Sequence, residues 1–138
     1  MARSYVLRAG ATHAQVAGVI SAAVVLPLAI VSRQHRVSIS PERIEHIRRR
    51  HPKWLAFCLA HTPAVLSAPD YIGQRRHGDR RRVEFVGLVG RPPRWLLVSV
   101  KFLDANHEAW VNSAYPFGDE HLTGRLRTGT LWRAIRGP

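Results

Sequence analysis

From Arg82 onward the chain is written in short β-branched and aromatic stretches. These are "RVEFVGLVG", "RWLLVSVKFL", "EAWVNSAYPF" and "TGTLWRAI", separated by Gly, Pro, Asn and Asp. This feature constrains the fold most, because strands joined by such brief connections pair antiparallel. The preceding part has a helical character. Ser40 is a good N-cap, Pro41 suits the first helical position, and Glu42 favours the positive end of the helix dipole. That helix stops at Pro52. "KWLAFCLA" reads as a second helical piece, and "TPAVLSAPDYIG" as a short turn or helix followed by a Pro-Asp break. "RVSIS", residues 36–40, alternates and reads as a short strand. Helices first and strands after give an α+β class with an antiparallel sheet. The length of 138 residues fits one domain, 1–138.

The segment from Ala9 to Ser32 carries no formal charge, and Val16–Val31 is nearly all apolar. These sixteen residues fall short of the roughly 20 that span a bilayer. Pro27 interrupts the run, and "LAIVSRQ" is a poor signal-cleavage site. The expectation is a packed core helix over Val16–Val31, within an apolar helix and lead-in of residues 1–35. The alternative is a membrane-associated protein anchored by residues 16–31.

The formal net charge is +12 and the sequence pI about 11.6. An excess of this size favours a polyanionic partner: nucleic acid, an anionic membrane surface or an acidic protein. The plain alternative is a solubilising surface charge. The single cysteine, Cys58, excludes an intrachain disulfide and lies in an apolar run, as a small buried side chain would. Neither CxxC nor HxxxH spacing occurs, so no metal site and no cofactor is expected.

The helix "PERIEHIRRRHP" concentrates the charge. Ile44 and Ile47 share its core face. Arg43, His46 and Arg50 fall on another stripe, with Arg49 beside His46. His51 lies four residues after Ile47, near the apolar edge. Neighbouring cations disfavour imidazolium, so His46 is expected to be neutral near pH 7 and able to act as a general base beside a phosphate. The arginines would hold that phosphate by bidentate contacts. The competing reading is an exposed histidine on a solvated face.

In the strands, Leu97, Ser99 and Lys101 face one way, which puts Lys101 on the less apolar side. Strict alternation groups Ser113 and Tyr115 with Val111. Ser113 and Tyr115 could contact phosphate, and Tyr115 could stack on a base. Arg82 and Glu84 share a strand face, and Glu84 is expected to be Arg82's ion partner rather than an acid–base group. "RRHGDRRR", with Arg75, Arg76, Arg80, Arg81 and Arg82, is expected to be a mobile basic loop touching an RNA backbone. His13, His35, His61, His77, His107 and His121 are read as incidental.

"VSISPERIEHIRRRHP", "VLSAPDYIG", "RRVEFVG", "LLVSVKFL" and "AWVNSAYP", in this order, resemble the phage-associated nuclease domains of the barnase, EndoU, colicin and RelE-like superfamily. An HI-x-x-RH-P element corresponds to His46, Ile47, Arg50, His51 and Pro52; a Pro-Asp turn to Pro69 and Asp70; a basic strand residue to Lys101; and Ser/Thr-x-Tyr to Ser113 and Tyr115. The resemblance implies N-terminal helices packed on a four-stranded antiparallel sheet, with residues 36–135 as the nuclease-like core. It implies a metal-independent endoribonuclease of toxin or phage type, acting by 2′-hydroxyl transesterification. His46, Arg50, His51, Lys101, Ser113 and Tyr115 would be catalytic; Arg43, Arg49 and the loop arginines would bind RNA. The partners would be RNA, such as tRNA or another structured RNA, and an acidic immunity or antitoxin protein. The location would be the cytoplasm, or that of a target cell. An apolar helix before the first strand would be core, with no stable membrane insertion. A non-catalytic RNA- or DNA-binding module is the competing function.

Overall fold

The computed structural model describes residues 5–25, 35–103 and 108–135. The class is α+β. The strands are β1 (Gln15–Ile20), β2 (His35–Ile39), β3 (Tyr71–Gly73), β4 (Arg82–Val89), β5 (Arg94–Leu103), β6 (Glu108–Phe117) and β7 (Leu131–Arg133). The helices are α1 (Ala22–Val25), α2 (Pro41–Arg50), α3 (Leu55–Ser67) and α4 (Asp119–Thr128), with a 3₁₀ turn at Pro52–Trp54. The strands form one seven-stranded sheet in the order β1-β2-β6-β5-β4-β3-β7. All pairs are antiparallel except β2 with β6. The expected four-stranded antiparallel sheet is therefore replaced by a larger mixed one.

The largest correction lies at the start. The expected helix over Val16–Val31 is strand β1 followed by the short α1, and residues 26–31 lie outside the described residues. The first element is thus a strand, not an N-terminal helix. The alternation of β1 is broken because its pairing with β2 slips between Val16 and Gly18, which makes Ala17 an extra residue. Ala17 and Ile20 are fully buried beneath α3. Gly18 permits that approach: a Cβ there would come within 3.3 Å of the Leu66 side chain. Among the described residues no helix is long and apolar enough to cross a membrane.

Helices α2 and α3 cover one sheet face. Ile44, Ile47, Cys58, Leu59, Val65 and Leu66 pack there with Val83, Phe85, Leu96, Val98, Val100, Val111 and Ala114. α3 runs unbroken through Pro63, longer than the sequence suggested. An internal proline costs about 3 kcal/mol. Burial of Cys58, Leu59, Val65 and Leu66, at about 1.5–3 kcal/mol for each large apolar side chain, offsets it. The Cys58 thiol donates to the Ala114 carbonyl at 3.5 Å, and burial pushes its pKa up to about 12.

α4 covers the opposite face, where Leu122 packs with Val86, Leu97, Phe117 and Leu131. Its charges suit the dipole, with Asp119 and Glu120 in the first turn and Arg125 and Arg127 in the last. Gly129 ends it at φ 75°, a left-handed cap that turns the chain so that the Thr130 N–H donates to the Arg125 carbonyl. That turn leads into β7, shorter than the strand expected for "TGTLWRAI".

The parallel pairing of β2 with β6 is confined to Val37–Ala109 and Ser38–Trp110. Beyond it the chain leaves β2 at Ser40, and α2 packs against β6. This carries the end of α2 towards the Tyr115 end of β6.

Candidate active site

Helix α2 forms as its sequence dictates. The Ser40 Oγ accepts from the Arg43 N–H at 3.2 Å, and Ile44 and Ile47 are buried. Glu45 pairs with Arg48 at 2.9 Å, and Arg48 also donates to the Ala9 carbonyl. Among the described residues no acidic side chain pairs with Arg43, Arg49 or Arg50. His46 is half-buried in that company. Burial, and then the charges of Arg43, Arg50, Arg49 and His51, hold its pKa below the ordinary histidine value.

His51 caps the helix, its N–H donating to the Ile47 carbonyl at 2.8 Å. Its ring stacks on Tyr115, with centroids 5.4 Å apart and planes at 26°.

Tyr115 belongs to a cleft of about 320 Å³ on the α4 face of the sheet. Strand register builds its floor. Arg82 and Glu84 of β4 lie opposite Lys101 and Ser99 of β5, and Ser99 lies opposite Ser113 of β6. Arg75, Gly78 and Asp79 of the basic loop form a wall. The β5–β6 pairing slips between Ser99 and Val100, so Asn112 is an extra residue. This bulge overturns strict alternation. Val111 is 1% exposed in the α2–α3 core, while Asn112 lines the cleft with Ser113.

Glu84 is only 4% exposed. It accepts a hydrogen bond from the Arg125 guanidinium and lies 3.6 Å from Arg75. Its partners are therefore Arg125 and Arg75, not Arg82 as its strand position suggested. Arg125 is held in turn by the Thr130 hydroxyl and carbonyl. The Arg75 guanidinium is kept above its usual range, first by a hydrogen bond with Tyr115 and then by the charge of Glu84.

The basic loop is tied down more than a solvated turn would be. Gln74 donates to the Arg80 carbonyl, Arg76 to the Thr128 carbonyl at 3.5 Å, and the Arg81 N–H to Asp79 at 2.9 Å. That backbone hydrogen bond, and then the charges of Arg81 and Lys101, keep the exposed Asp79 carboxyl below its usual range. Lys101 lies 3.7 Å from Asp79 and does not itself line the cleft.

Of the residues expected at the site, Arg75, Arg82, Ser113 and Tyr115 line the cleft, His51 stacks on one of them, and Lys101 is joined through Asp79. Neither His46 nor His51 is among the lining residues; nor are Arg43, Arg49 and Arg50. Sequence reasoning missed Asn112, Arg125 and the central position of Glu84. Only Asn112 left a signal, since the adjacent polar pair Asn112-Ser113 interrupts an otherwise alternating strand.

The depressed pKa of His46 has a consequence for stability. The unfolded imidazole, near 6.5, takes up a proton before the folded one as pH falls. Stability should be fully present above about pH 6.5 and decline below it, towards the folded pKa. His46→Gln should flatten this part of the profile of Tm against pH. An unchanged slope below that pH would show that the imidazole contributes nothing to it.

A cleft lined by the guanidiniums of Arg75 and Arg82 and the hydroxyls of Ser99, Ser113 and Tyr115, with the His51 ring against that tyrosine, is suited to a phosphodiester. The class so defined is a nuclease. Residues 15–122 match the family model described as phage-Barnase-EndoU-ColicinE5/D-RelE like nuclease3 (PBECR3), and the chain belongs to that family. The match runs from β1 into α4, so it includes all the strands of the cleft and stops short of Arg125 and Thr130. Neither a curated protein nor a solved structure gave a significant match.

Proposed function

We propose that the protein is a metal-independent endoribonuclease. A base removes the proton of a ribose 2′-hydroxyl, and the 2′-oxygen forms a bond to the adjacent phosphorus. The bond from phosphorus to the 5′-oxygen breaks, and that oxygen leaves with a proton from an acid. The products are a 2′,3′-cyclic phosphate and a free 5′-hydroxyl.

The observation that supports this reading is the convergence of Arg75, Arg82, Ser113 and Tyr115 in one cleft, with His51 stacked on Tyr115. His51 is the principal proton-transfer residue, because its ring touches a cleft residue. His46, whose pKa is held low, is the second imidazole and is neutral at neutral pH. Arg75 and Arg82 offset the charge that develops on the phosphorane, and Ser113 and Asn112 donate to its oxygens. Arg50 and Lys101 support the same phosphate, while Arg43, Arg49, Arg76, Arg80 and Arg81 take flanking phosphates. The same cationic surface suits an acidic inhibitor protein.

The test is an oligoribonucleotide with a single 2′-deoxy residue on the 5′ side of an established cut. Cleavage should stop at that bond and continue elsewhere. A cut that persists there would overturn the mechanism. Binding without any cleavage would favour a non-catalytic module.

A further inference from the structure

The basic loop separates the cleft from a second cavity of about 610 Å³, and Arg75 and Gly78 line both. The second cavity has an aromatic side. The rings of Phe117 and His121 stack, with centroids 5.8 Å apart and planes at 27°. Phe117 is 9% exposed and fixed in the α4-side core, whereas His121 is exposed on the first turn of α4. Its rim is also cationic: Arg75, Arg76 and Arg125 line it, and among the described residues no carboxylate pairs with Arg76. His77 lies beside Arg76. Both histidines looked incidental in the sequence.

We infer that this cavity is a nucleobase subsite for single-stranded RNA, taking the base next to the phosphate held in the cleft and stacking it on His121. The inference rests on the cleft binding an RNA phosphate. A phosphate alone would leave the aromatic side without a partner, and a purely apolar ligand would leave the cationic rim unmatched. A base joined to a sugar-phosphate satisfies both. The shared wall at Arg75 and Gly78 makes the two cavities neighbours along one strand. A base inside a duplex cannot enter such a recess, which restricts the substrate to unpaired segments or bases turned out of the stack.

The experiment is fluorescence anisotropy with labelled short 2′-O-methyl RNA oligonucleotides. These are either intact or carry one abasic residue at each position in turn. Wild-type protein should lose affinity roughly tenfold at one abasic position, the loss of a single base stack. In His121→Ala that position should cost nothing further, because the stacking partner is already gone. His121→Trp should bind the intact oligonucleotide at least as tightly as wild type. Arg76→Gln should weaken all oligonucleotides alike and lower the salt slope by about one. The subsite is overturned if no abasic position matters, if His121→Ala weakens intact and abasic RNA equally, or if nothing binds. A 2′-O-methyl strand lacks the attacking hydroxyl. Failure of the catalytic reading would therefore appear separately, as unmodified RNA left intact while the abasic pattern persists.

Discussion

His51→Ala is expected to slow RNA cleavage by about 10²–10⁴-fold, the usual loss when one acid–base group is removed. Binding of 2′-O-methyl RNA should hardly change, since the proposed phosphate contacts belong to the arginines and Lys101 rather than to His51. His51 makes its cap through its backbone N–H, which alanine keeps, so folding should survive. The stack on Tyr115 holds the ring at the cleft, and Tyr115→Ala should lose much of the same activity. His46→Ala should cost less, because among the described residues no ring contact joins His46 to a cleft residue as the stack on Tyr115 joins His51. Single-turnover cleavage of one oligonucleotide by the three variants measures this order. If His46→Ala is the inactive variant and His51→Ala cuts normally, the proton-transfer role belongs to His46.

The second large effect is on stability. Arg125 and Glu84 form a nearly buried ion pair beneath the cleft, joining α4 to the middle of the sheet. Arg125→Ala strands the Glu84 carboxylate there, with Arg75 at 3.6 Å as its remaining partner. Removing one partner of a buried pair costs about 3–5 kcal/mol. Arg75 and the open cleft reduce that to the lower end, a fall in Tm of about 10 °C for a chain of this size. The double substitution Glu84→Met with Arg125→Met should recover most of the loss, because two apolar side chains of similar volume leave no unpaired charge. Thermal denaturation of the single and double variants checks this. A single variant within about 0.5 kcal/mol of wild type, the range of ordinary surface changes, would show that the pair does not hold α4 in place.

The legible parts of the sequence were those decided locally. Ser40 and Pro41 begin α2, Pro52 ends it, and the alternation in "RVSIS" gives β2; each signal lies within a few residues of its effect. The order of β4, β5 and β6 was likewise readable from their turn residues. Val16–Ile20 was not, because its character as a strand depends on pairing with β2 and packing under α3, and the slip at Ala17 breaks the period. The parallel pairing of β2 with β6 depends on contacts some seventy residues apart in the chain, which no local pattern encodes.

At the site, the cationic and hydroxyl residues could be named from the sequence, but not which of them converge. His46 looked central because three arginines surround it on the helix. The residue that reaches the cleft's edge is instead His51, through its stack on Tyr115, since α2 ends beside the part of β6 that carries that tyrosine. Arg125 could not be paired with Glu84 from the sequence, since only the packing of α4 across the sheet joins them.

Attack by a ribose 2′-hydroxyl at this cleft without a metal ion can be checked by digesting an oligoribonucleotide in EDTA and identifying the new ends by mass spectrometry. Cleavage should be undiminished, with a 2′,3′-cyclic phosphate on one fragment and a 5′-hydroxyl on the other. Cleavage abolished by EDTA, or fragments ending in a 3′-hydroxyl and a 5′-phosphate, would contradict it.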